Sequence, residues 1–276
     1  SGIPYDEIAI LYRTNAQSRA VEEVFLAKNI PYKVVGSYYF YNRKEIKDLI
    51  CYLRLVANPK DDLSLKRIIN SPKRGIGIKT LEELEIKAKT EDLSIFEIID
   101  SGKELEFKNI ILELQQDLLN LSLTELIDEV LKKSGLLSEF NNNTFEGELR
   151  LENLLEFKSI SSSFEESTGS VNLNDFLESI SLVSDMGTYK VVEDAITLMT
   201  LHNAKGLEFK AVFLIGMEEG IFPNAKAFFE PDGLEEERRL CYVGITRAME
   251  HLYLTNAKRR MLYGKEQINA PSRFID

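Results

Sequence analysis

Three side chains able to bind polar ligands, His202, Lys205 and Glu208, stand between two apolar runs in this chain. The runs, residues 195–200 and 211–215, are nearly continuous and have the length of strands buried on both faces. Such strands are typical of a parallel α/β sheet, which binds its ligands at strand ends. An imidazole, an ammonium group and a carboxylate at that place predict a site within residues 194–255.

Arg247 stands at the end of a predicted helix, residues 235–248. Acidic residues occupy the first turn, where the helix dipole favours negative charge, and apolar residues recur at helical spacing. A strand is predicted directly afterwards, at residues 252–255. From the pattern alone, Arg247 is either an ordinary surface arginine or a functional one.

Arg13 and Asn15 follow a further strand candidate, residues 7–12. A guanidinium and an amide at the exit of a buried strand can hold phosphates or bases. The alternative is an exposed arginine and an asparagine that caps the helix predicted at residues 20–28. A short strand is predicted at residues 33–36. The four large rings that follow, within residues 37–41, form either core or a surface on which bases stack.

Residues 43–185 have helical periodicity almost throughout and predict an all-α region. Within it, residues 66–80 contain five basic residues and no acidic one. A Gly-Ile-Gly turn opening a helix near Thr80 can present backbone N–H groups to a phosphate of duplex DNA, with nearby cations as counter-charge. The alternative is an ordinary glycine turn on a solvated basic face. The residues of this predicted duplex contact are Lys73, Arg74, Gly75, Ile76, Gly77 and Thr80.

The composition narrows the class of protein. A net charge of −11 argues against a protein that coats nucleic acid by bulk attraction, so any such contact must come from local basic patches. Cys51 and Cys241 have no paired metal-ligand spacing, and we expect neither a disulfide nor a metal site. No signal peptide or membrane-spanning run is evident, so we expect a cytoplasmic protein that does not bind membranes.

The segments 198–208, 216–223 and 235–248 resemble motifs V and VI of superfamily 1 DNA helicases of the UvrD, Rep and PcrA type, and most strongly those of the PcrA branch. The resemblance extends over nearly the whole chain. It implies an α/β fold in which a RecA-like parallel-sheet domain of the P-loop NTPase class is interrupted by an all-α domain. Residues 1–35 and 193–276 would form this discontinuous domain, called 2A, and residues 36–192 the inserted helical domain, called 2B.

The resemblance also implies roles for individual residues. Arg247 matches the arginine finger that contacts the γ-phosphate of ATP, and Glu208, after Gly206, matches the residue that holds the ribose. Arg13 and Asn15 match positions that grip single-stranded DNA, and Tyr263 stands where the family often has a stacking Phe. His202 would lie near the DNA or couple it to the nucleotide, and a structural histidine is the alternative. Tyr39 and Asn224 depart from the family, which often has Lys and His there.

The chain has no Gly-x-x-x-x-Gly-Lys-[Ser/Thr] phosphate loop and no acidic pair for magnesium. The resemblance therefore implies a C-terminal fragment of a 3′ to 5′ ATP-dependent DNA helicase of DNA repair or replication. We expect the fragment to be inactive alone, and to use ATP with Mg²⁺ only together with a missing N-terminal RecA-like domain. Its expected partners are that domain, single-stranded and duplex DNA, and candidate repair or transcription proteins. The alternative is a non-catalytic module that binds duplex DNA or docks a partner.

Overall fold

The computed structural model of the protein describes residues 2–142, 144–186 and 193–275. The chain forms two compact units. One comprises Ser1–Asn42 and Val183–Asp276 and is built on a sheet; the other comprises Arg43–Leu182 and is helical. The predicted end of the inserted domain near residue 192 falls within 187–192, outside the described residues.

The secondary structure of the described residues alternates strands and helices in the first unit and is helical in the second. The strands are β1 (Ile8–Tyr12), β2 (Tyr32–Val34), β3 (Ile196–Thr200), β4 (Phe209–Leu214), β5 (Ala248–Leu254), β6 (Arg260–Leu262) and β7 (Lys265–Gln267). The helices are α1 (Ser18–Ala27), α2 (Lys44–Ala57), α3 (Asp62–Ile68), α4 (Ile78–Glu91), α5 (Ile95–Ile98), α6 (Gly102–Asp117), α7 (Leu123–Lys133), α8 (Leu136–Phe140), α9 (Phe145–Thr168), α10 (Leu173–Met186) and α11 (Gly233–Ile245).

Strands β1 to β5 form one parallel sheet in the order β2-β3-β1-β4-β5. Strand β1 lies at its centre, where Ala9 is paired with Thr197 of β3 and Val212 of β4. Segments from both ends of the chain therefore share one sheet. The predicted fold class, a parallel α/β sheet together with an all-α region, is confirmed.

The burial of the central strands explains their near-continuous apolar sequence. All five residues of β3 are buried, as are four of the five in β1. Successive side chains alternate between two cores: Ala9 and Leu11 belong to one cluster with Val212, and Ile10 and Tyr12 to the other. A strand covered on both faces cannot show polar alternation, because both of its faces lose contact with water.

The first segment of the α/β unit continues to Asn42, past the predicted end at residue 35. Glu22 of α1 accepts the backbone N–H of Phe40 (3.1 Å), and Glu23 accepts the hydroxyl of Tyr41 (2.8 Å). Both rings are buried. Most of the aromatic run is thus packing for α1, whereas Tyr38 is largely exposed.

Helix α11 ends at Ile245, and β5 begins at Ala248, four residues before the predicted start of that strand. The Arg247 carbonyl already accepts the Phe209 N–H (2.9 Å), so the chain enters the sheet directly after the helix. Most of β5 is exposed, because it lies at the edge of the sheet. Its first four residues, Ala-Met-Glu-His, therefore gave no continuous apolar run from which the start could be predicted.

The helical unit has its core around α2, whose Ile46, Leu49 and Leu53 are fully buried. Capping boxes begin α5 and α7, where Ser94 and Ser122 exchange hydrogen bonds with Glu97 and Glu125. No strand occurs among the described residues of this unit. Across the described parts of both units, every helix is too short or too polar to cross a bilayer.

The packing of α11 depends on Gly244. A Cβ there would lie 2.5 Å from Cδ2 of the fully buried Leu201 and 3.4 Å from Cδ1 of Leu214. Gly244→Ala would ordinarily favour a helix by roughly 0.5–1 kcal/mol, but overpacking costs about 1–3 kcal/mol. We therefore expect the variant to have a lower Tm, measured by circular dichroism. In a Leu201→Ala background the same change should cost less; an unchanged or raised Tm in the Leu201 background would contradict this packing.

Candidate functional site

The loop that follows β1 is held in shape by Gln17. The Gln17 Oε1 accepts the backbone N–H groups of Arg13 and Thr14, each at 2.9 Å. Asn15 begins the short 3₁₀ helix Asn15–Gln17, and its Oδ1 is buried with no hydrogen-bond partner among the described residues. Gln17 was not predicted from the sequence, because a glutamine in a polar loop carries no signal of its own.

Arg13 is tied to α11 by Glu237. Its Nε and Nη2 both lie 2.8 Å from the Glu237 Oε1. The second carboxylate oxygen accepts the Asn224 N–H at 2.9 Å. Glu237 was also missed, because it ends an acidic run that predicts only a solvated first turn of a helix. Its side chain is 3% exposed, unlike those of its neighbours Glu235 and Glu236.

His202 lies in the 3₁₀ helix Leu201–Ala204, beside this pair. Desolvation, followed by the positive charge of Arg13, lowers the pKa of His202, while Glu237 and Glu236 act in the opposite direction. The structure thus brings His202 and Arg13 together. Asn15 lies on the same loop as Arg13.

Arg247 is fixed by oxygen atoms without a negative charge. Its Nε donates to the carbonyl of Val243 and its Nη1 to the carbonyl of Leu207, each at 2.9 Å, and its Nη2 to the Thr246 hydroxyl at 3.0 Å. It forms no ion pair with any carboxylate of the described residues. These bonds orient the guanidinium and leave its charge uncompensated.

Glu208 and Gly206 flank Leu207, whose carbonyl accepts a hydrogen bond from Arg247. Both residues therefore lie close to this arginine. Both are exposed, and Gly206 has a φ of +85°, which favours glycine. Arg247 and Glu208, predicted to serve one ligand, are therefore brought to adjoining segments at the start of β4.

Tyr263 lies at the tip of the β6–β7 hairpin, with Gly264 beside it. Its φ is +54° and that of Gly264 is +76°. Two positive values at the central residues are typical of a type I′ hairpin turn, which Asn-Gly occupies most readily. A tyrosine in this conformation is strained, and such strain is commonly retained at functional sites.

The Gly-Ile-Gly turn of the helical unit, residues 75–77, lies directly before α4. Helix α4 begins at Ile78 with Gly77 as its N-cap. No side chain of the described residues caps this helix, and its first turn has no acidic residue. The N–H groups of Ile78, Lys79 and Thr80 have no acceptor within the helix. Ile76 is buried, and its N–H donates to Asn70 Oδ1, so this residue anchors the turn.

The basic residues around this turn differ in how they are used. Arg74 donates to the carbonyls of Ile68, Ile69, Pro72 and Ser134 and to the Tyr52 hydroxyl, and it stacks on Phe107. Lys66 and Arg67 pair with Glu85 and Asp48. Lys73 and Lys79 are exposed and form no ion pair within the described residues.

Lys103 is a cation of this turn that was not predicted from the sequence. Its Nζ lies 2.7 Å from the position of a Cβ on Gly75. It comes from the start of α6, and only the packing of α6 brings it there. Arg74 therefore shapes the turn, and Lys73, Lys79 and Lys103 supply the exposed charge.

The two positions that depart from the resembled family have structural contacts. Tyr39 packs edge-on against Tyr32, with ring centroids 5.5 Å apart. Asn224 accepts the Lys226 N–H through Oδ1 (3.0 Å) and donates its own N–H to Glu237.

We expect His202 to titrate below its ordinary pKa of about 6.5. The folded chain binds a proton at His202 less readily than the unfolded chain, so protonation of His202 favours unfolding. The contribution of this residue to the free energy of unfolding is therefore greatest above about pH 6.5 and falls as the pH drops. NMR titration can follow both histidines, with His251→Gln to assign them. Arg13→Gln should raise the pKa of His202. A pKa at or above about 6.5 in the wild-type chain would refute the effect of desolvation and of Arg13 on this imidazole.

Comparison with known proteins agrees with the motifs. Residues 1–259 match the family described as UvrD-like helicase C-terminal domain. The chain is 47% identical to the ATP-dependent DNA helicase PcrA of Staphylococcus epidermidis and 46% identical to that of Staphylococcus aureus. Each match covers 100% of this chain and 40% of the relative, so the chain spans less than half the length of these proteins.

The resemblance inferred from motifs V and VI is thereby confirmed, and it coincides with the parallel sheet and the helical unit of the fold. The chain belongs to the UvrD-like helicase C-terminal domain family.

Proposed function

We propose that this chain supplies one half of the ATP site of a 3′ to 5′ DNA helicase, together with contacts to single-stranded and duplex DNA. The α/β unit would be domain 2A and the helical unit domain 2B. The observation that carries the proposal is the environment of Arg247, which is oriented by two carbonyls and a hydroxyl and neutralised by no described carboxylate. The alternative, a module that only binds duplex DNA or a partner, does not require such an arginine.

The chemistry of Arg247 fits a triphosphate. A guanidinium held in place before the reaction stabilises developing negative charge without the cost of reorganising. Glu208 and Gly206 adjoin it, and an exposed carboxylate can accept hydrogen bonds from a ribose. ATP with Mg²⁺ would supply the γ-phosphoryl group, whose transfer to water with ADP as the leaving group would drive strand movement. The phosphate loop absent from this sequence would come from a second RecA-like domain.

Single-stranded DNA would contact the carboxyl end of β1 and the β6–β7 hairpin. Arg13 uses two of its five N–H donors on Glu237, which leaves three for a phosphate. Asn15 has a buried oxygen without a partner among the described residues. His202, with its lowered pKa, is neutral near pH 7 and can hydrogen-bond without adding charge. Tyr263 offers a ring on which a base can stack.

Duplex DNA would meet the turn before α4. The uncapped N–H groups of Ile78, Lys79 and Thr80 lie at the positive end of the helix, where a phosphate binds favourably. Lys73, Lys79 and Lys103 would neutralise neighbouring phosphates. Arg74, Gly75 and Ile76 would act by holding the turn in shape. Such contacts carry no sequence information.

The ATP half of the proposal predicts that the chain alone does not hydrolyse ATP, and that joining it to the remaining part of a PcrA-type helicase gives DNA-stimulated hydrolysis. In that protein Arg247→Ala should reduce turnover by about 10³-fold or more, the scale of arginine fingers. Arg238→Ala is the control, since Arg238 lies exposed on the same helix and, among the described residues, pairs only with Glu235. Normal turnover in the Arg247 variant would exclude the finger.

The proposed duplex contact predicts that Gly77→Leu weakens the binding of duplex DNA. A Cβ at Gly77 meets nothing within 4 Å and its φ is −86°, so the fold should not change, while the new side chain covers the amides. With the 276-residue chain, the duplex Kd should start near about 10⁻⁴–10⁻⁶ M and rise in the variant, and the log-log salt slope should fall by about 0.9 for one lost phosphate.

Gly2→Leu is the matched control, because an added Cβ there also meets nothing within 4 Å. Fluorescence anisotropy of a labelled hairpin and of a labelled single strand separates the two contacts. Equal duplex affinities for wild type and Gly77→Leu would mean that the turn does not bind DNA.

A further inference from the structure

Glu237 is a buried carboxylate in a helix turn whose other acids face solvent. Glu235 and Glu236 are more than half exposed and pair with Arg238 and Arg239 three residues on. Glu237 is 3% exposed on its side chain. A carboxylate is costly to bury unless it is paired and hydrogen-bonded, so this position is maintained by its contacts.

Those contacts join three segments through one side chain. Oε1 receives both Nε and Nη2 of Arg13, at the exit of β1. Oε2 accepts the N–H of Asn224, which precedes the 3₁₀ helix Ala225–Phe228. The third segment is α11 itself.

The pairing fixes the plane of the Arg13 guanidinium. One edge of the guanidinium donates to a single oxygen of Glu237, and the backbone N–H of Arg13 donates to Gln17. Both the backbone and the side chain of Arg13 are therefore anchored. The side chain is 21% exposed, and its three remaining donors are available on the other edges. A guanidinium oriented in this way loses less rotational freedom when it binds a phosphate.

Helix α11 connects this pair to Arg247. From Glu237 to Ile245 the helix extends about 12 Å, and Gly244 packs tightly on Leu201 and Leu214 near its end. One continuous helix thus joins Glu237 to the segment that precedes Arg247. A displacement of the Arg247 end would therefore be transmitted to Glu237 and from there to Arg13.

We propose that Glu237 is the positioning residue that presents Arg13 to single-stranded DNA and couples this contact to the helix that ends beside Arg247. The inference rests on the proposed function, in which Arg13 contacts the strand. Glu237 acts through Arg13 and touches no DNA itself.

The test uses Glu237→Gln in the 276-residue chain. Glutamine keeps the shape but has one acceptor oxygen, so it cannot hold Arg13 and the Asn224 N–H together. Glu236→Gln is the control: it changes the charge equally one residue away, and its side chain pairs with the exposed Arg239 in the described part of the chain. Binding of labelled oligothymidylate is measured by anisotropy at several salt concentrations.

We expect Glu237→Gln to raise the Kd about ten-fold relative to Glu236→Gln, as for the loss of one charge-assisted contact. The log-log salt slope should fall by about 0.7, the value for one phosphate on a single strand. Partial unfolding lowers the fraction of active protein but leaves this slope unchanged. Arg13→Ala should have the same two effects, and the double variant should bind no more weakly than Arg13→Ala alone.

Provided that Arg13→Ala weakens DNA binding, either of two results would overturn the inference. One is a Glu237→Gln variant with the Kd and slope of Glu236→Gln, and the other is an effect that adds to that of Arg13→Ala. If Arg13→Ala binds like wild type, the proposed DNA contact of Arg13 itself is wrong. Should Glu237→Gln fail to fold, Glu237→Asp, which keeps the charge but shortens the reach, is compared with Glu236→Asp in the same way.

Discussion

The α/β unit depends on the parallel pairing of β1 with β3 and β4, strands that are more than 180 residues away in the sequence. Parallel neighbours need a long crossover connection, and here the connection from β2 to β3 contains the whole helical unit. Because β1 is central, its carboxyl end lies between those of β3 and β4. Arg13, His202 and Glu237 come together for this reason, although they lie in three separate segments of the chain.

The parts of the fold that follow from burial were predictable from sequence. Strands β1, β3 and β4 are buried on both faces, and a continuous apolar run is the direct consequence. The start of β5 was not predictable, because an edge strand is exposed and needs no apolar pattern. The helix before β5 was predicted at residues 235–248, whereas α11 spans Gly233–Ile245. The pattern could not distinguish Glu237 from Glu235, since their different burial arises from contacts with distant residues.

The basic turn of the helical unit shows why a count of charged residues does not define a binding surface. Of the five cations in residues 66–80, Lys66 and Arg67 are paired with acids, and Arg74 is occupied by carbonyls. Lys103 adds a charge from another helix. Which cations remain available depends on tertiary contacts, whereas the Gly-Ile-Gly sequence itself was sufficient to predict an open helix terminus beside them.

The two arginines of the α/β unit illustrate two ways of fixing a guanidinium. Carbonyl oxygens hold Arg247 in place without neutralising it, which suits a partner with several negative charges such as a triphosphate. A carboxylate holds Arg13 and also neutralises much of its charge. The fixed orientation of the guanidinium offsets this loss of charge, because Arg13 loses little rotational freedom when it binds a phosphate. Under the proposed function, Arg247 would therefore act on the nucleotide mainly through its charge, and Arg13 on the strand mainly through its orientation.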